Sequence, residues 1–456
     1  MSTYSEALRP MLTPPDERID RVVLITAAVA CVSAGVGVTI GGPVGALVAA
    51  AAVATAALAT RPFVVLCCVL GLVAVEALTT LQEGSVATLS ASKLMAIPLA
   101  VWFIGTVARD PKTLPRCIGT FFIACFLALT LASWMRADRL DLAVRDTLTY
   151  IQLAVLWIAV RMLVDTKRRL RIVAMVIAGT MVFSGLVAIS EYVTRPDLRV
   201  TGTSQNAALL SADLTAAVAF ALALAASAPV LWERGAWFMA AAVSAAAIPC
   251  TLSRSAFLAA APAMLAAGFM TRRPLRFALA VAVAAVVALQ PGGIVRERMN
   301  ETNVRDISTL GHLRSIRAGL AVTADNPLLG VGVGNYPLHF LRYTNDPPGV
   351  PRTAHNSYLA IASESGVPAL AAFLGLHLAA AMLLIRGART LEEPRDREKL
   401  FMAGAVAASL TAFAFIGLFQ TLQMSKFLWV LLGLATSPLV WRPNGENAIP
   451  LHGARS

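Results

Sequence analysis

The sequence predicts an all-α membrane protein with many spans, and three observations support this prediction. Of the 456 residues, 57% are hydrophobic and 14% are charged, whereas an ordinary soluble domain has about 25% charged residues. The hydrophobic residues form continuous runs near the roughly 20 residues that a spanning helix needs, not the alternating pattern of a β-barrel. The segment before the first run is polar and contains three prolines, unlike a cleavable signal peptide. A soluble enzyme, a disordered chain and a disulfide-rich secreted domain are thereby excluded.

Fourteen apolar runs can be marked along the chain, and we expect about 12 of them to be real spans. The hydrophobic content is enough for about 13 spans of roughly 20 residues, and several runs are short. An even number of spans puts both termini on the same side of the membrane. The runs fall at 21–40, 43–60, 63–81, 92–108, 117–135, 146–163, 171–191, 207–230, 236–250, 255–270, 276–290, 366–386, 400–420 and 427–441.

The basic residues predict that both termini are cytoplasmic. With this orientation, 23 of the 38 basic residues fall in inside segments. The dense clusters at 167–171, 271–276 and 386–399 then lie in short inside loops, where the positive-inside rule applies. The 15 basic residues left outside include 13 arginines: Lys93, Arg136, Arg139, Arg145, Arg195, Arg199, Arg254, Arg296, Arg298, Arg305, Arg314, Arg317, Arg342, Arg352 and Lys426.

This basic external face indicates an anionic, phosphate-bearing substrate, because the planar arginine fork suits phosphate. Lys93, Arg136, Arg139 and Arg145 belong to shorter external turns and are expected to bind substrate phosphates. Contact with lipid headgroups remains the alternative for individual residues. Gln152 lies two helical turns from Arg145 on the same face and is expected to form a polar wall of the same cavity.

One external loop of about 75 residues runs from Pro291 to Gly366, and loops of this length usually carry function. Within it, Leu313, Ile316 and Leu320 share one helical face. They predict an amphipathic helix that lies on the membrane surface or roofs a cavity. The chain thus divides into N-terminal spans at 1–290, the loop at 291–365, C-terminal spans at 366–441 and a cytoplasmic tail at 442–456.

A glycine-rich segment follows this helix, at Leu328-Leu329-Gly330-Val331-Gly332-Val333-Gly334-Asn335-Tyr336. It lacks the strand–helix setting of a dinucleotide site. The glycines instead predict a tight turn and a close approach between backbones. After a proline-rich stretch comes Arg352-Thr353-Ala354-His355-Asn356-Ser357-Tyr358-Leu359.

These segments together resemble the signature of the O-antigen ligase and polymerase superfamily. The similarity covers about residues 250–370. It comprises Arg314, the run from Asn326 to Tyr336, the run from His355 to Leu359, Glu364-Ser365-Gly366-Val367-Pro368, and Thr251-Leu252-Ser253-Arg254-Ser255.

The resemblance implies a multi-pass glycosyltransferase of the bacterial inner membrane with a GT-C-like fold and a periplasmic active site. It implies a glycan donor carried on undecaprenyl pyrophosphate, a lipid A-core acceptor, inverting chemistry and no metal or other cofactor. Membrane lipid is an expected partner and nucleic acid is not, and the expected assembly is a monomer or a weak oligomer.

The resemblance also assigns roles to particular residues. The essential histidine of the family falls on His355, and its arginines fall on Arg254 and, with less support, Arg314. An imidazole can take the proton of the attacking sugar hydroxyl, and fixed cations can stabilise the departing pyrophosphate. The expected substrate-binding residues of the long loop are Arg317, His312, Tyr336 and Tyr358, where the tyrosines either stack on sugar rings or anchor the loop.

Two groups of alternatives remain open. The enzyme could be an O-antigen polymerase or a protein O-oligosaccharyltransferase, which would use the same donor and a different acceptor. A transporter of lipid-linked anions is the alternative from another class, although the sequence shows no obvious internal repeat. The external acids contain no D-x-D pattern, and the basic residues around Asp138 and Asp141 predict ion pairs there. Glu364 is expected to pair with an arginine or to anchor the loop.

Overall fold

The computed structural model describes residues 61–79, 81–83, 87–110, 113–195, 200–204, 206–279, 307–344, 353–437 and 441. The predicted spans at 21–40 and 43–60, most of 276–290, the loop positions 291–306 and 345–352, and the tail lie outside these residues. Five of the external arginines also lie outside them: Arg199, Arg296, Arg298, Arg305 and Arg352.

Fourteen α-helices and one short antiparallel hairpin lie entirely within the described residues, and residues 274–279 are also helical. The strands are β1 (Leu81–Glu83) and β2 (Ala87–Leu89), paired in the register Leu81 with Leu89. The helices are α1 (Pro62–Val73), α2 (Ala91–Arg109), α3 (Ile118–Ala132), α4 (Leu140–Leu163), α5 (Lys167–Thr194), α6 (Ala207–Ser227), α7 (Leu231–Cys250), α8 (Arg254–Met270), α9 (Ile307–Asp325), α10 (Tyr336–Phe340), α11 (Ser357–Ser365), α12 (Val367–Thr390), α13 (Arg397–Ile416) and α14 (Lys426–Ala435).

Seven of the described helices are long and apolar enough to cross a membrane, namely α2, α3 with the 3₁₀ turn that follows it, α4, α5, α6, α12 and α13. This confirms a multi-pass membrane protein. Three further apolar helices, α1, α8 and α14, have fewer than 18 residues. The run predicted as a span at 63–81 is interrupted, because α1 ends at Val73 and a 3₁₀ turn follows from Glu76. The total of about 12 spans stays a prediction.

Successive helices alternate in direction, so their connections gather at two ends of the bundle. One set of connections, at 164–171, 228–234, 271–273 and 391–399, forms what we call the basic end. Arg171 joins three of its parts, because its guanidinium lies 2.7 Å from a Glu233 oxygen and 3.2 Å from a Glu398 oxygen. Arg273 pairs with Glu393 at 3.1 Å. The clusters that the sequence assigned to inside loops therefore share one end.

The other connections form the loop end, which comprises residues 74–90, 133–139, 200–206, 251–253, 417–425 and the described parts of the long loop. Lys426 is hydrogen-bonded to Glu76 at this end. Arg136 donates a 2.9 Å hydrogen bond to the side-chain oxygen of Asn326 in the long loop. The external basic residues that the structure describes lie in these segments or in the parts of the helices next to them.

An aromatic cluster fixes α4 and α14 side by side. The ring of Tyr150 lies edge-on to Phe126, with 4.9 Å between the centroids, and 6.5 Å from Trp429. Further along the pair, Gly433 packs against Val160. The contact between Tyr150 and Trp429 precedes the contact between Val160 and Gly433 along both helices. The helices α4 and α14 therefore run parallel, and their N-terminal residues meet at the loop end.

The predicted amphipathic helix is present as α9 and ends at Asp325, as expected. It packs on the protein through small residues, because Ser315, Ala318 and Val322 are buried, and Gly319 lies against Leu359 of α11. Leu313 and Leu320 of the predicted apolar face are exposed. An exposed apolar stripe on a helix is typical of contact with lipid or with a lipid-bearing ligand.

Candidate active site

His355 directly precedes α11 and is held by the start of that helix. The side chain of Asn356 caps α11, accepting two backbone N–H groups of its first turn at 2.9 Å. The backbone N–H of Ser357 donates to the carbonyl of Gly417 at 2.8 Å, and its hydroxyl donates to the carbonyl of Gln420 at 2.8 Å. These bonds anchor the histidine loop to the segment that follows α13.

The backbone of His355 is in the left-handed region, with φ of 48°, which is uncommon for a residue other than glycine. Its ring contacts the ring of His312 on α9, with 4.6 Å between the centroids and 57° between the planes. Both histidines are half-buried, and Arg314 and Arg317 of the same helix are exposed. The structure thus brings His355, the expected proton acceptor, into contact with His312, an expected substrate-binding residue.

Arg254 is the first residue of α8, and the packing of that helix brings it to the same end of the molecule. The C-terminal part of α8 lies against the first turns of α13, where Gly404 contacts Ala267. Because α8 packs along α13, the two helices must run in opposite directions. Arg254 therefore lies toward the C-terminal end of α13, the end that Gly417 follows.

A polar cavity of about 260 Å³ opens beside this loop. Lys93 of α2, Arg145 of α4 and Lys426 of α14 meet in its wall, although they come from distant parts of the sequence. Arg145 also pairs with Asp146, with 2.8 Å between Nε and Oδ1. The lining consists of Val73, Glu76, Lys93, Arg145, Asp146, Thr149, Ser204, Asn206, Leu209, Asp213, Thr421, Leu422, Met424, Ser425 and Lys426.

The buried pair of Glu76 and Lys426 forms one wall of the cavity. Ser90 and Ser92 also donate to the Glu76 carboxylate, at 3.0 and 3.1 Å. Burial alone raises the pKa of Glu76, but the Lys426 charge and these hydrogen bonds hold it below its ordinary value. The wall therefore carries opposite charges that are fixed in place.

The cavity and the histidine loop share one segment of chain. Thr421 and Leu422 line the cavity, and the backbone N–H of Leu422 donates to the Ser357 hydroxyl at 2.8 Å. Ser357 is two residues from His355. A ligand with its charged group in the cavity would therefore lie beside the histidine loop.

The glycine-rich segment makes close backbone contacts, as its sequence predicts. Gly330, Gly332 and Gly334 have φ of 65°, 94° and 74°. A Cβ on Gly332 would lie 2.6 Å from Cα of Ala137, and one on Gly334 would lie 2.8 Å from a carboxylate oxygen of Asp146. The segment thereby joins the long loop to the α3–α4 connection and to the base of the cavity.

Gly366, between α11 and α12, is the position least able to accept a side chain. Its φ is 90°, and a Cβ there would lie 2.1 Å from the Leu328 carbonyl oxygen. We expect Gly366→Ala to lower the free energy of unfolding by about 3 kcal/mol or more, from clash and backbone strain. Thermal unfolding in detergent measures the loss. The matched control is Gly235→Ala in α7, where a Cβ meets nothing within 4 Å; equal melting points for the two variants would contradict the prediction.

Glu364 anchors the long loop, which is one of the two roles expected for it. Its carboxyl is buried and accepts the backbone N–H groups of Gly334 and Tyr336. Burial and the neighbouring Asp146 carboxylate raise the pKa of Glu364 to about 8, against the lowering effect of those N–H groups and of Arg145.

This raised pKa predicts a specific pH dependence of stability. The neutral carboxyl favours the folded state, so its contribution is complete below the ordinary value of 4.5 and is lost as the pH rises through about 8. Glu364→Gln keeps the oxygen acceptor and cannot ionise. Between pH 5 and pH 8 we expect the melting temperature of the wild type to fall further than that of the variant. Glu393→Gln at the basic end is the control, and parallel curves for wild type and Glu364→Gln would refute this assignment.

The remaining residues that the sequence suggested for substrate binding do not line the cavity. Gln152 is exposed and does not line the cavity, where Thr149, one turn from Arg145, stands instead. Tyr336 is buried and its hydroxyl donates to the Ser315 carbonyl at 2.8 Å, so its ring packs within the loop. Tyr358 is held by a 2.8 Å hydrogen bond to the Ala414 carbonyl.

One ion pair predicted between the first external acids and their flanking basic residues is present, and the other acid pairs with the long loop instead. Arg139 pairs with Asp141 at 2.8 Å, and Arg342 pairs with Asp138 at 3.0 Å. Arg136 and Arg139 are exposed outside the cavity lining. Within the ranges that the structure describes, no group of three or more His, Cys, Asp or Glu side chains is arranged to hold a metal ion.

Sequence reasoning missed the acids of the cavity, namely Glu76, Asp146 and Asp213. Glu76 and Asp213 are isolated carboxylates in or at the end of apolar runs. Such residues are costly in a membrane unless they are paired or functional. That signal was available in the sequence.

One comparison with known proteins matches part of the chain, and the residues that line the cavity lie outside the matched range. Residues 239–374 match the family model described as O-antigen ligase. The matched range begins in α7, includes α8 and the long loop, ends in α12, and contains Arg254, Arg314 and His355. No curated protein matches the chain.

Proposed function

We propose that this chain, a member of the O-antigen ligase family, transfers a glycan from undecaprenyl pyrophosphate to a sugar of lipid A-core during lipopolysaccharide biosynthesis. Two observations support the proposal. His355 and Arg254 both fall in the family-matched range, and the cavity that holds Lys93, Arg145 and Lys426 includes Leu422, which is hydrogen-bonded to Ser357 of the histidine loop. This arrangement provides a proton acceptor next to a site for pyrophosphate.

The reaction needs one proton transfer and one displacement. His355 accepts the proton of the attacking hydroxyl of the acceptor sugar. The oxygen of that hydroxyl forms a bond to the anomeric carbon of the donor, while the bond from this carbon to the pyrophosphate oxygen breaks. Attack from the face opposite the leaving group inverts the anomeric centre. The products are the glycosylated acceptor and undecaprenyl pyrophosphate, and the proton later passes from His355 to solvent.

Cationic side chains stabilise the leaving group. Negative charge grows on the pyrophosphate as the glycosidic bond breaks, and fixed cations lower the barrier where that charge develops. Arg254 and Arg314 are proposed to contact the pyrophosphate near His355, with Lys93 and Arg145 completing its site from the cavity. In this proposal the charge on pyrophosphate is neutralised by side chains, and no metal ion or cofactor is required.

The orientation follows from the two ends of the bundle. The basic end carries the dense clusters of arginine and lysine that the positive-inside rule places in the cytoplasm. The loop end then faces the periplasm of the bacterial inner membrane, where both lipid-linked substrates would be accessible. The exposed leucines of α9 suit contact with membrane lipid or with the acyl chains of a substrate.

Transfer by the purified protein tests this proposal. The protein is incubated with glycan-bearing undecaprenyl pyrophosphate and one of three acceptors: lipid A-core, a second donor molecule or an acceptor protein. We expect the glycan on lipid A-core only, with equal rates with and without a chelator. Consumption of a second donor would indicate a polymerase, and modification of the protein an oligosaccharyltransferase. Loss of activity on chelation would contradict metal independence.

A further inference from the structure

Two of the residues that line the cavity each carry a buried side-chain oxygen that makes no hydrogen bond among the described residues. One is Oδ1 of Asp213 on α6, a residue that is only 3% exposed. The other is the hydroxyl oxygen of Thr421, on the segment that links the cavity to the histidine loop. Buried polar atoms nearly always have a partner, so two such atoms on residues of one cavity indicate a bound group.

The charges around the cavity restrict what that group can be. Lys93, Arg145 and Lys426 disfavour a cation at their side of the cavity. The buried carboxyl group of Asp213 can accept hydrogen bonds, and the Thr421 hydroxyl can donate or accept one. The matching ligand is therefore neutral and rich in hydroxyl groups where it meets Asp213, and anionic where it meets the cations.

We propose that Asp213 and Thr421 bind hydroxyl groups of the sugar that is linked directly to pyrophosphate in the donor. The inference rests on the proposed function and adds a specificity-determining pair to it. The cations hold the phosphates, and Asp213 and Thr421 recognise the first sugar.

The size of the cavity agrees with this assignment. Its volume of about 260 Å³ is below the roughly 300–1,000 Å³ of sites that enclose drug-sized ligands. One sugar ring with its phosphate fills such a space, and the other sugars of the glycan must extend outside it. Asp213 and Thr421 would therefore select donors by their first sugar, whatever sugars follow it in the glycan.

Binding measurements with and without the sugar test the assignment. The probes are undecaprenyl pyrophosphate and the same carrier bearing one sugar, titrated into the purified protein. We expect Asp213→Asn to weaken binding of the sugar-bearing carrier about tenfold or more, because a hydroxyl donor then meets a poorer acceptor. Binding of the bare carrier should not weaken. Asp165→Asn at the basic end, where Asp165 pairs with Arg169, is the matched control and should bind both probes like the wild type.

The alternative is a carboxyl that is satisfied by internal water and has no contact with substrate. Equal weakening for both probes, or no change for either, would overturn the proposal. Should Asp213→Asn fail to fold, Thr421→Val is measured with the same two probes. Equal weakening for both probes, or no change for either, would again overturn the proposal. Because the measurement is of binding, it is independent of catalysis. Failure of the wild type to transfer glycan would refute the proposed function, whereas loss of sugar discrimination in Asp213→Asn would still support this sugar site.

Discussion

Replacing His355 by asparagine is expected to lower the rate of glycan transfer by about 10²–10⁴-fold, the usual contribution of a general base. The side chain that accepts the proton of the sugar hydroxyl is then missing, and asparagine cannot take its place. The cation-lined cavity is unchanged, so binding of the donor should be nearly as tight as in the wild type. The measurement is kcat and KM for transfer to lipid A-core, with donor affinity determined separately.

Asparagine is the informative replacement because of the backbone. His355 has φ of 48°, and asparagine tolerates this region better than alanine does. A loss of activity in His355→Asn can therefore be assigned to the missing imidazole and not to a displaced loop. His339→Asn is a useful comparison, since His339 lies in the same loop but is buried beside Asp138. A transfer rate for His355→Asn close to that of the wild type would exclude His355 as the base.

The long spans were predictable because hydrophobicity over about 20 residues is a strong local signal. Every described helix that is both long and apolar enough to cross a membrane overlaps a predicted apolar run. The interruption after Val73 was missed, since Ala74 and Val75 continue the apolar pattern and only Glu76 departs from it. The tertiary pairing of Glu76 with Lys426, 350 positions away, is not visible in a local window.

The site was predictable in part, for a similar reason. His355 and Arg254 stand in motifs, so their residue types and neighbours identify them. The cavity depends on the parallel packing of α4 and α14 and on the position of α6, which pattern reading does not supply. Gln152 illustrates this limit of spacing: it is seven residues from Arg145 and exposed, whereas Thr149, four residues from Arg145, lines the cavity.

Replacing Arg254 by alanine is expected to lower kcat about 10²–10³-fold, as the loss of one group that stabilises charge in the transition state. Arg254 is the first residue of α8, and a positive charge at a helix N-terminus is unfavourable to the helix dipole. A basic residue in this position is thus poorly explained by helix stability. An anion bound there would be attracted by both the guanidinium and the helix terminus.

The comparison with Arg397 separates the two explanations. Arg397 is also the first residue of its helix, α13, but it lies at the basic end and its guanidinium stacks on Phe401, 5.4 Å from the ring centroid. We expect Arg254→Ala and Arg397→Ala to have similar melting temperatures and only Arg254→Ala to lose activity. Arg254→Lys should recover part of kcat, because it restores the charge without the planar fork. If both alanine variants transferred glycan at the wild-type rate, leaving-group stabilisation would have to come from the cavity cations Lys93 and Arg145 and not from Arg254.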